Sequence, residues 1–118
     1  MELSRLMISV TEATVDQKQI EFRIKSAFMK YLPVWKKYLP KIGKAASSPK
    51  IDMSLEKRLS NQMYVELEQF KKELKALGCS GIYFEHDYDD MYIGVNFRLD
   101  GSWYTIDNKT MRIQSEKE

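Results

Sequence analysis

The stretch Met91-Tyr92-Ile93-Gly94-Val95-Asn96-Phe97-Arg98-Leu99-Asp100-Gly101-Ser102-Trp103-Tyr104-Thr105-Ile106 decides the fold. Apolar residues at 91, 93, 95, 97 and 99 alternate with Tyr92, Gly94, Asn96 and Arg98, the period of two that belongs to a half-buried strand. Asp100-Gly101 is the dipeptide of a two-residue hairpin turn, whose type I′ geometry needs two positive φ angles. Such a turn sets Leu99 opposite Ser102, Arg98 opposite Trp103, Phe97 opposite Tyr104 and Val95 opposite Ile106. A second tight turn at Asn108-Lys109 then pairs Ile106 with Met111 and Tyr104 with Ile113, in a last strand running from Thr110 to Gln114. All apolar side chains fall on one face of three strands, because register and alternation agree.

Upstream, Ile82 and Phe84 alternate with Tyr83 and Glu85, which adds a first strand. A loop at 85–90 joins it to the next, pairing Ile82 with Ile93, Phe84 with Met91 and Tyr83 with Tyr92. Before Gly78 the period changes to that of a helix. Leu55, Leu59, Met63, Leu67, Phe70, Leu74 and Leu77 step by threes and fours, Gly78 is the expected C-cap, and Asp52 or Ser54 the expected N-cap. Lys71, Lys72 and Lys75 suit the negative end of the helix dipole.

The first helical region is less regular. Leu3, Leu6, Met7 and Val10 fit a helical stripe, although Leu6–Val10 also reads as a strand. Thr14 with Gln17 offers a capping-box restart. From there Ile20, Ile24, Ala27, Phe28, Tyr31 and Leu32 recur at helical spacing. Pro33 predicts a kink and Pro40 a stop, and Gly43–Pro49 reads as a loop inside one domain. Tyr31-Leu32-Pro33-Val34-Trp35 and Tyr38-Leu39-Pro40 look alike, but two short copies make no repeat architecture. The fold class is α+β in the order α-α-β-β-β-β: N-terminal helices packed on one face of a four-stranded antiparallel meander, in two layers. The 118 residues suit a single domain, helical over about 1–78 and a meander over about 79–115.

The single Cys79 and single His86 exclude an internal disulfide framework and any motif needing two histidines. No apolar run is long enough to span a bilayer and no signal peptide is evident at the start, so the expected compartment is the cytoplasm. The net charge of +2 conceals a separation. Residues 1–52 carry ten Lys/Arg and five Asp/Glu, whereas residues 53–118 carry nine and twelve. The expectation is a dipolar molecule.

Three surfaces are candidates for work. The outer sheet face should show Tyr83, Tyr92, Trp103 and Arg98 with Asn96, Thr105 and Arg112, a composition typical of protein-binding centres. The plainer explanation is cross-strand pairing on a solvated face. The loop Glu85–Asp90 gathers Asp87, Asp89 and Asp90 around His86 and Tyr88. It suits docking on a basic protein, and it lacks the spacing of a calcium loop. A solvated hairpin tip is its plainer explanation. The basic segment 23–50 sets Lys30, Lys36, Lys37, Lys41 and Lys44 beside Trp35 and Tyr38, a mixture that binds phosphates and stacks bases, unless its aromatics pack in the core. His86 is expected exposed on the charged loop. Cys79, after a helix C-terminus, is a poor nucleophile. No catalytic constellation, metal site or cofactor motif is expected. Helices followed by an acidic-looped meander look like the layout of some small bacterial immunity and antitoxin proteins. That resemblance implies an inhibitor covering a partner's site. The expected function is therefore non-enzymatic protein binding, with nucleic-acid or phosphate binding by segment 23–50 as the alternative. Self-pairing through the last strand or the outer face would make a homodimer.

Overall fold

The computed structural model describes residues 2–47 and 53–115, with side chains from residue 17 onward. Its elements run α1 (Glu2–Ser47), α2 (Met53–Ala76), β1 (Ser80–Asp87), β2 (Tyr92–Leu99), β3 (Ser102–Asp107) and β4 (Ile113–Ser115), with the strands in the order β1-β2-β3-β4. This is the α-α-β-β-β-β arrangement with an antiparallel sheet. No helix among the described residues is long and apolar enough to cross a membrane.

The first helix corrects three expectations. The helical stripe over Leu3–Val10 is indeed helix, and the chain stays helical past Pro33. The corrections are that it runs on through Thr14 where a restart was expected, through Pro40 where a stop was expected, and through Gly43 to Ser47 where a loop was expected. The expected loop thus shrinks to residues beyond 47, and its remainder, like the Asp52 cap, lies outside the described residues. Ser54 lies inside α2 and does not cap it. An interior proline costs about 3 kcal/mol because it removes a donor and crowds the carbonyl four residues back. Here both prolines are exposed, and the carbonyls they orphan belong to Met29 and Lys36, which are also exposed. Water can satisfy those carbonyls. On the opposite side Ile24, Phe28, Trp35 and Leu39 are fully buried, so packing holds the helix where propensity would break it.

The second helix follows its pattern. Met63, Leu67, Phe70 and Leu74 have no exposed surface. At its end Gly78 takes φ 98°, its N–H bonds to the Lys75 carbonyl, and the Cys79 N–H bonds to that of Leu74. This is a Schellman closure, which only glycine enters without strain.

A seven-residue echo aligns the helices. Lys30-Tyr31-Leu32-Pro33 recurs as Lys37-Tyr38-Leu39-Pro40, and α2 carries Glu66 and Glu73 at the same spacing. Lys30 Nζ lies 2.8 Å from Glu73 and Lys37 Nζ 3.2 Å from Glu66. The Tyr31 hydroxyl donates to Glu73 and the Tyr38 hydroxyl to Glu66. Equal spacing on antiparallel helices means that one sliding register satisfies both pairs. Between the pairs Phe70 stacks on Tyr31 at 5.1 Å and meets Trp35 edge-on at 6.0 Å.

The β2–β3 hairpin has the expected register at every pair, with Asp100 at φ 51° and Gly101 at φ 81° in the turn. Two other registers differ. In the first hairpin Phe84 pairs with Val95 and His86 with Ile93, four residues from expectation. Glu85, His86 and Asp87 are therefore strand residues, and the tip is Tyr88–Met91. At the far edge Ile106 pairs with Ile113 and Tyr104 with Ser115, two residues from expectation, so β4 keeps only three residues. Both shifts are even, so the side chains paired from Tyr83 onward stay on their expected faces, and the one irregularity of the ladder falls between Ser80 and Tyr83.

The cause is polar. Asp107 Oδ1 accepts from the Lys109 N–H (3.0 Å), the Thr110 N–H (2.7 Å) and the Thr110 hydroxyl (2.9 Å). The Asn108 side chain accepts from the Ile93 N–H at 2.9 Å and donates to the Met91 carbonyl at 2.8 Å. These bonds make a wider turn than Asn108-Lys109 alone. The inner face buries Ile82, Ile93, Val95, Phe97, Leu99 and Ile106. Phe84 joins it to the helices, 5.8 Å from Phe70 and 5.4 Å from Trp35.

Two outcomes test this account. Asn108→Ala strands the Ile93 N–H and should cost about 1–3 kcal/mol in urea unfolding. The Glu66 and Glu73 carboxyls are held below their ordinary value of 4.5 chiefly by hydrogen bonds, from Tyr38 and Lys37 to the one and from Lys30 and Tyr31 to the other. The same bond, with burial, pushes the Tyr31 hydroxyl up to about 12. A lowered carboxyl contributes stability present above its unfolded value and lost as pH falls through its folded one. A raised tyrosine contributes stability lost as pH climbs from 10.0 toward about 12. Stability to thermal unfolding should therefore weaken below pH 4.5 and above pH 10.0. The Glu66→Gln, Glu73→Gln double variant should have the shallower acid limb, and an unchanged limb would disprove the pairing.

Candidate functional site

The outward positions of the sheet form one continuous face, and two of its rings rest on glycines. A Cβ added to Gly94 would lie 2.6 Å from the Tyr92 hydroxyl oxygen and 3.0 Å from its ring. One added to Gly81, which has φ 57°, would lie 2.8 Å from the Trp103 indole. Each ring covers backbone that no side chain shields. Between them runs a polar row: Asn96 Nδ2 donates to Glu85 at 3.0 Å, and the Thr105 hydroxyl donates to Asn96 Oδ1 at 2.6 Å. Asn96 is consequently buried, although it was expected on show.

At one end of the face Tyr83 meets Trp103 at 6.2 Å and 61°. They remain 47% and 38% exposed. Arg98, also exposed, is paired in register with Trp103 and with Ser80. The structure thus brings Tyr83, Trp103 and Arg98 together. Tyr92 stands apart, opposite Asp87 at the other end, with its hydroxyl pushed up by burial and by Asp107 and Glu85. Asp87, Asp89 and Asp90 are exposed there. Asp87 Oδ1 accepts from the Asp89 N–H at 2.8 Å, and Lys109 Nζ donates to the Asp90 carbonyl at 2.8 Å. Four strand residues, about 13 Å, separate Tyr83 from Asp87. Arg112 is exposed in the turn before β4.

Several assignments change. Tyr88 is half-buried: a Cβ on Gly43 would lie 2.9 Å from its ring, so it ties the acidic tip to α1 and offers little to a partner. Trp35 has no exposed surface and Tyr38 only 7%, so neither presents a ring face on which a base can stack. Lys30 and Lys37 are paired with glutamates, while Lys36, Lys41 and Lys44 are exposed. His86 is not on the tip. It lies on the inner face 6.3 Å from Tyr64, with Nδ1 buried and without a partner among the described residues. Burial of Cys79 pushes its thiol up to about 11. Among the described residues no three His, Cys, Asp or Glu side chains gather to hold a metal ion. An open depression of about 570 Å³ lies on α2 between Lys57, Asn61, Val65 and Tyr38.

Glu66 and Glu73, the partners of the basic segment, escaped the sequence reading. Their signal was the shared spacing of seven between the duplicated Lys-Tyr-Leu-Pro and the two glutamates. The glycine seats carried a weaker one, each glycine lying on the same outward face as a large ring.

Burial lowers the His86 imidazole below 6.5 and outweighs the opposing Asp87 charge. Since His86 is the chain's one histidine, its proton resonance needs no assignment. An NMR titration should give a midpoint under 6.5, and a midpoint at or above that value would place the ring in solvent. No family model, curated protein or solved structure matches the chain.

Proposed function

We propose that this chain is a small non-enzymatic module that binds another protein through the outer sheet face, with a basic surface on the partner meeting the acidic tip. The observation that carries the reading is the exposed Tyr83–Trp103 pair beside Arg98. Two large rings are only partly covered on a face whose middle is already closed by its own polar row. Rigid aromatics with an arginine supply burial and directional bonds at protein interfaces. Residues 80–115 carry six acids and three bases, so Asp87, Asp89 and Asp90 would steer a basic partner into place. The finer reading is an inhibitor of the immunity or antitoxin kind, which neutralises a basic toxin or enzyme by covering its site. The free thiol of Cys79 suits the cytoplasm.

The rival is phosphate or nucleic-acid binding by α1, whose residues 17–47 hold eight bases and one acid. With Trp35 and Tyr38 inside, that reading rests on charge alone.

Affinity capture from the native host, compared between wild type and the Trp103→Ala, Asp89→Ala double variant, tests the proposal. The variant should lose the wild-type partners, and Trp103→Ala alone should weaken a purified complex roughly 30-fold, a typical hot-spot loss of about 2 kcal/mol. Retention of the same partners by the double variant overturns the assignment. Tight, steeply salt-dependent binding of a random oligonucleotide would instead favour α1.

A further inference from the structure

The outer side of α1 is a ridge with no described element over it. Phe22, Ser26, Met29, Pro33, Lys36 and Pro40 are separated by alternating steps of four and three, and all six are exposed. They lie opposite the buried line of Ile24, Phe28, Trp35 and Leu39. Phe22 is 71% exposed and Met29 59%, two large apolar side chains about 10 Å apart along the helix.

Bases stand among them. Lys18 continues the line one turn upstream and Arg23 flanks it. Lys30 and Lys37 are paired with glutamates of α2, whereas Lys18, Arg23 and Lys36 are exposed and have no ion partner among the described residues. Glu21, the one acid in residues 17–47, is half-buried about a quarter-turn from the ridge. The acidic tip meets α1 at Gly43, through Tyr88. The working stretch therefore runs from Lys18 to Lys36, about 27 Å.

We propose that this stretch rests on a lipid bilayer rich in anionic headgroups, lying on the surface without crossing it. Its charge is complementary to such a surface, since the outer side carries bases and no acid. Phe22 and Met29 stand between those bases and enter the boundary of headgroups and acyl chains. The convex shape selects the same occupant. Fluid headgroups close around a ridge at any side-chain spacing, whereas a protein partner would need a matching groove. A nucleic acid would need rings in series to stack its bases, and Phe22 is the one exposed ring among the described residues of α1. Pro33 sets the depth. The Met29 carbonyl that it orphans needs water, which the headgroup region holds and hydrocarbon does not. The contact leaves the outer sheet face open, so it does not rest on the proposed function.

Co-sedimentation at low salt should pellet the chain with vesicles of phosphatidylcholine containing about one-third phosphatidylserine, and not with phosphatidylcholine vesicles. Phe22→Ser with Met29→Ser should weaken this binding roughly tenfold. Lys18→Glu, Arg23→Glu and Lys36→Glu together should abolish it. All five positions are exposed, so both variants should keep the near-ultraviolet signal of the buried aromatics. Trp103→Ala should bind vesicles as wild type does. Failure to pellet with the anionic vesicles overturns the proposal. So does equal affinity for polyglutamate or a random oligonucleotide, or full binding by the Phe22→Ser, Met29→Ser variant, since each reduces the ridge to charge alone. Loss of vesicle binding with Trp103→Ala also overturns it, by placing the contact on the sheet.

Discussion

The contact of Phe84 with Phe70 and Trp35 is the point at which α1, α2 and the sheet become one body. Phe84 is the middle inward residue of the edge strand β1, stacked 5.8 Å from Phe70 and edge-on 5.4 Å from Trp35. Phe70 and Trp35 meet each other at 6.0 Å. Rings of this size can interlock in few ways within a close-packed interior. Moving either helix by one residue would turn a ring out of the junction, so the same contact fixes the helix–helix register. The Lys-Tyr pairs on Glu73 and Glu66 lie one helical turn or so to either side of Phe70 and repeat the same offset. Apolar and polar contacts thus specify one alignment twice, and such agreement separates a single native arrangement from a set of near-equivalents. The polar bonds lie at the exposed rim of the seam and are each worth little in water. Their role is selection among registers, and the rings carry most of the burial.

The prolines follow from the same geometry. Pro33 and Pro40 close the two copies of Lys-Tyr-Leu-Pro, and a spacing of seven returns both to the outer side of α1. A proline facing α2 would have left a carbonyl stranded in apolar surroundings. On the outer side it leaves a carbonyl facing water. The local signals for a kink and a stop are real, but the burial of Phe28, Trp35, Leu39 and Ile42 outweighs them. The misreading at Gly43 has a similar source. Glycine there lets Tyr88 lie against the helix, which is a packing reason that no local propensity records.

Most of the fold was legible because a strand's side chains alternate with a period of two. Any even error in register leaves each residue on the correct face, and the two registers read wrongly from the sequence were wrong by four and by two. The β2–β3 pairing needed no luck, since Asp100-Gly101 specifies a turn by its own backbone angles. The other two turns are set by side chains reaching across the chain. Asn108 binds the backbone at Met91 and Ile93, fifteen residues or more away, and Asp107 gathers three donors ahead of it. Pattern reading sees neighbours along the chain and is blind to such reach. The same blindness hid Glu66 and Glu73, and it put His86 in solvent when the strand continues beneath Tyr64. Of the candidate site, Asp87 was expected in the loop and belongs to β1, Asp89 and Asp90 lie at the tip, and Tyr83, Trp103 and Arg98 stand where alternation puts them. Tyr88, Trp35 and Tyr38 do not, because an aromatic among charges reads as exposed until a neighbouring element is known to lie over it.

The outer face owes its character to being the unroofed side of a two-layer fold. With both helices on the inner side, a strand residue facing outward must find cover within the sheet or stay in water. Gly94 and Gly81 borrow the rings of Tyr92 and Trp103, and Asn96 is closed in by Glu85 and Thr105. The middle of the face is thereby finished without a partner. Trp103 covers Gly81 and packs against Tyr83, and both rings still leave much of their own surface open. The two-layer arrangement also separates charge, since the bases of α1 lie behind the sheet and the aspartates of the β1–β2 tip lie at one end of it. Residues 80–115 thus carry six acids and three bases, although the whole chain has a net charge of +2. In this molecule net charge is a poor guide to the sign of the surface that is open for contact, and the layer to which each charge belongs is the better one.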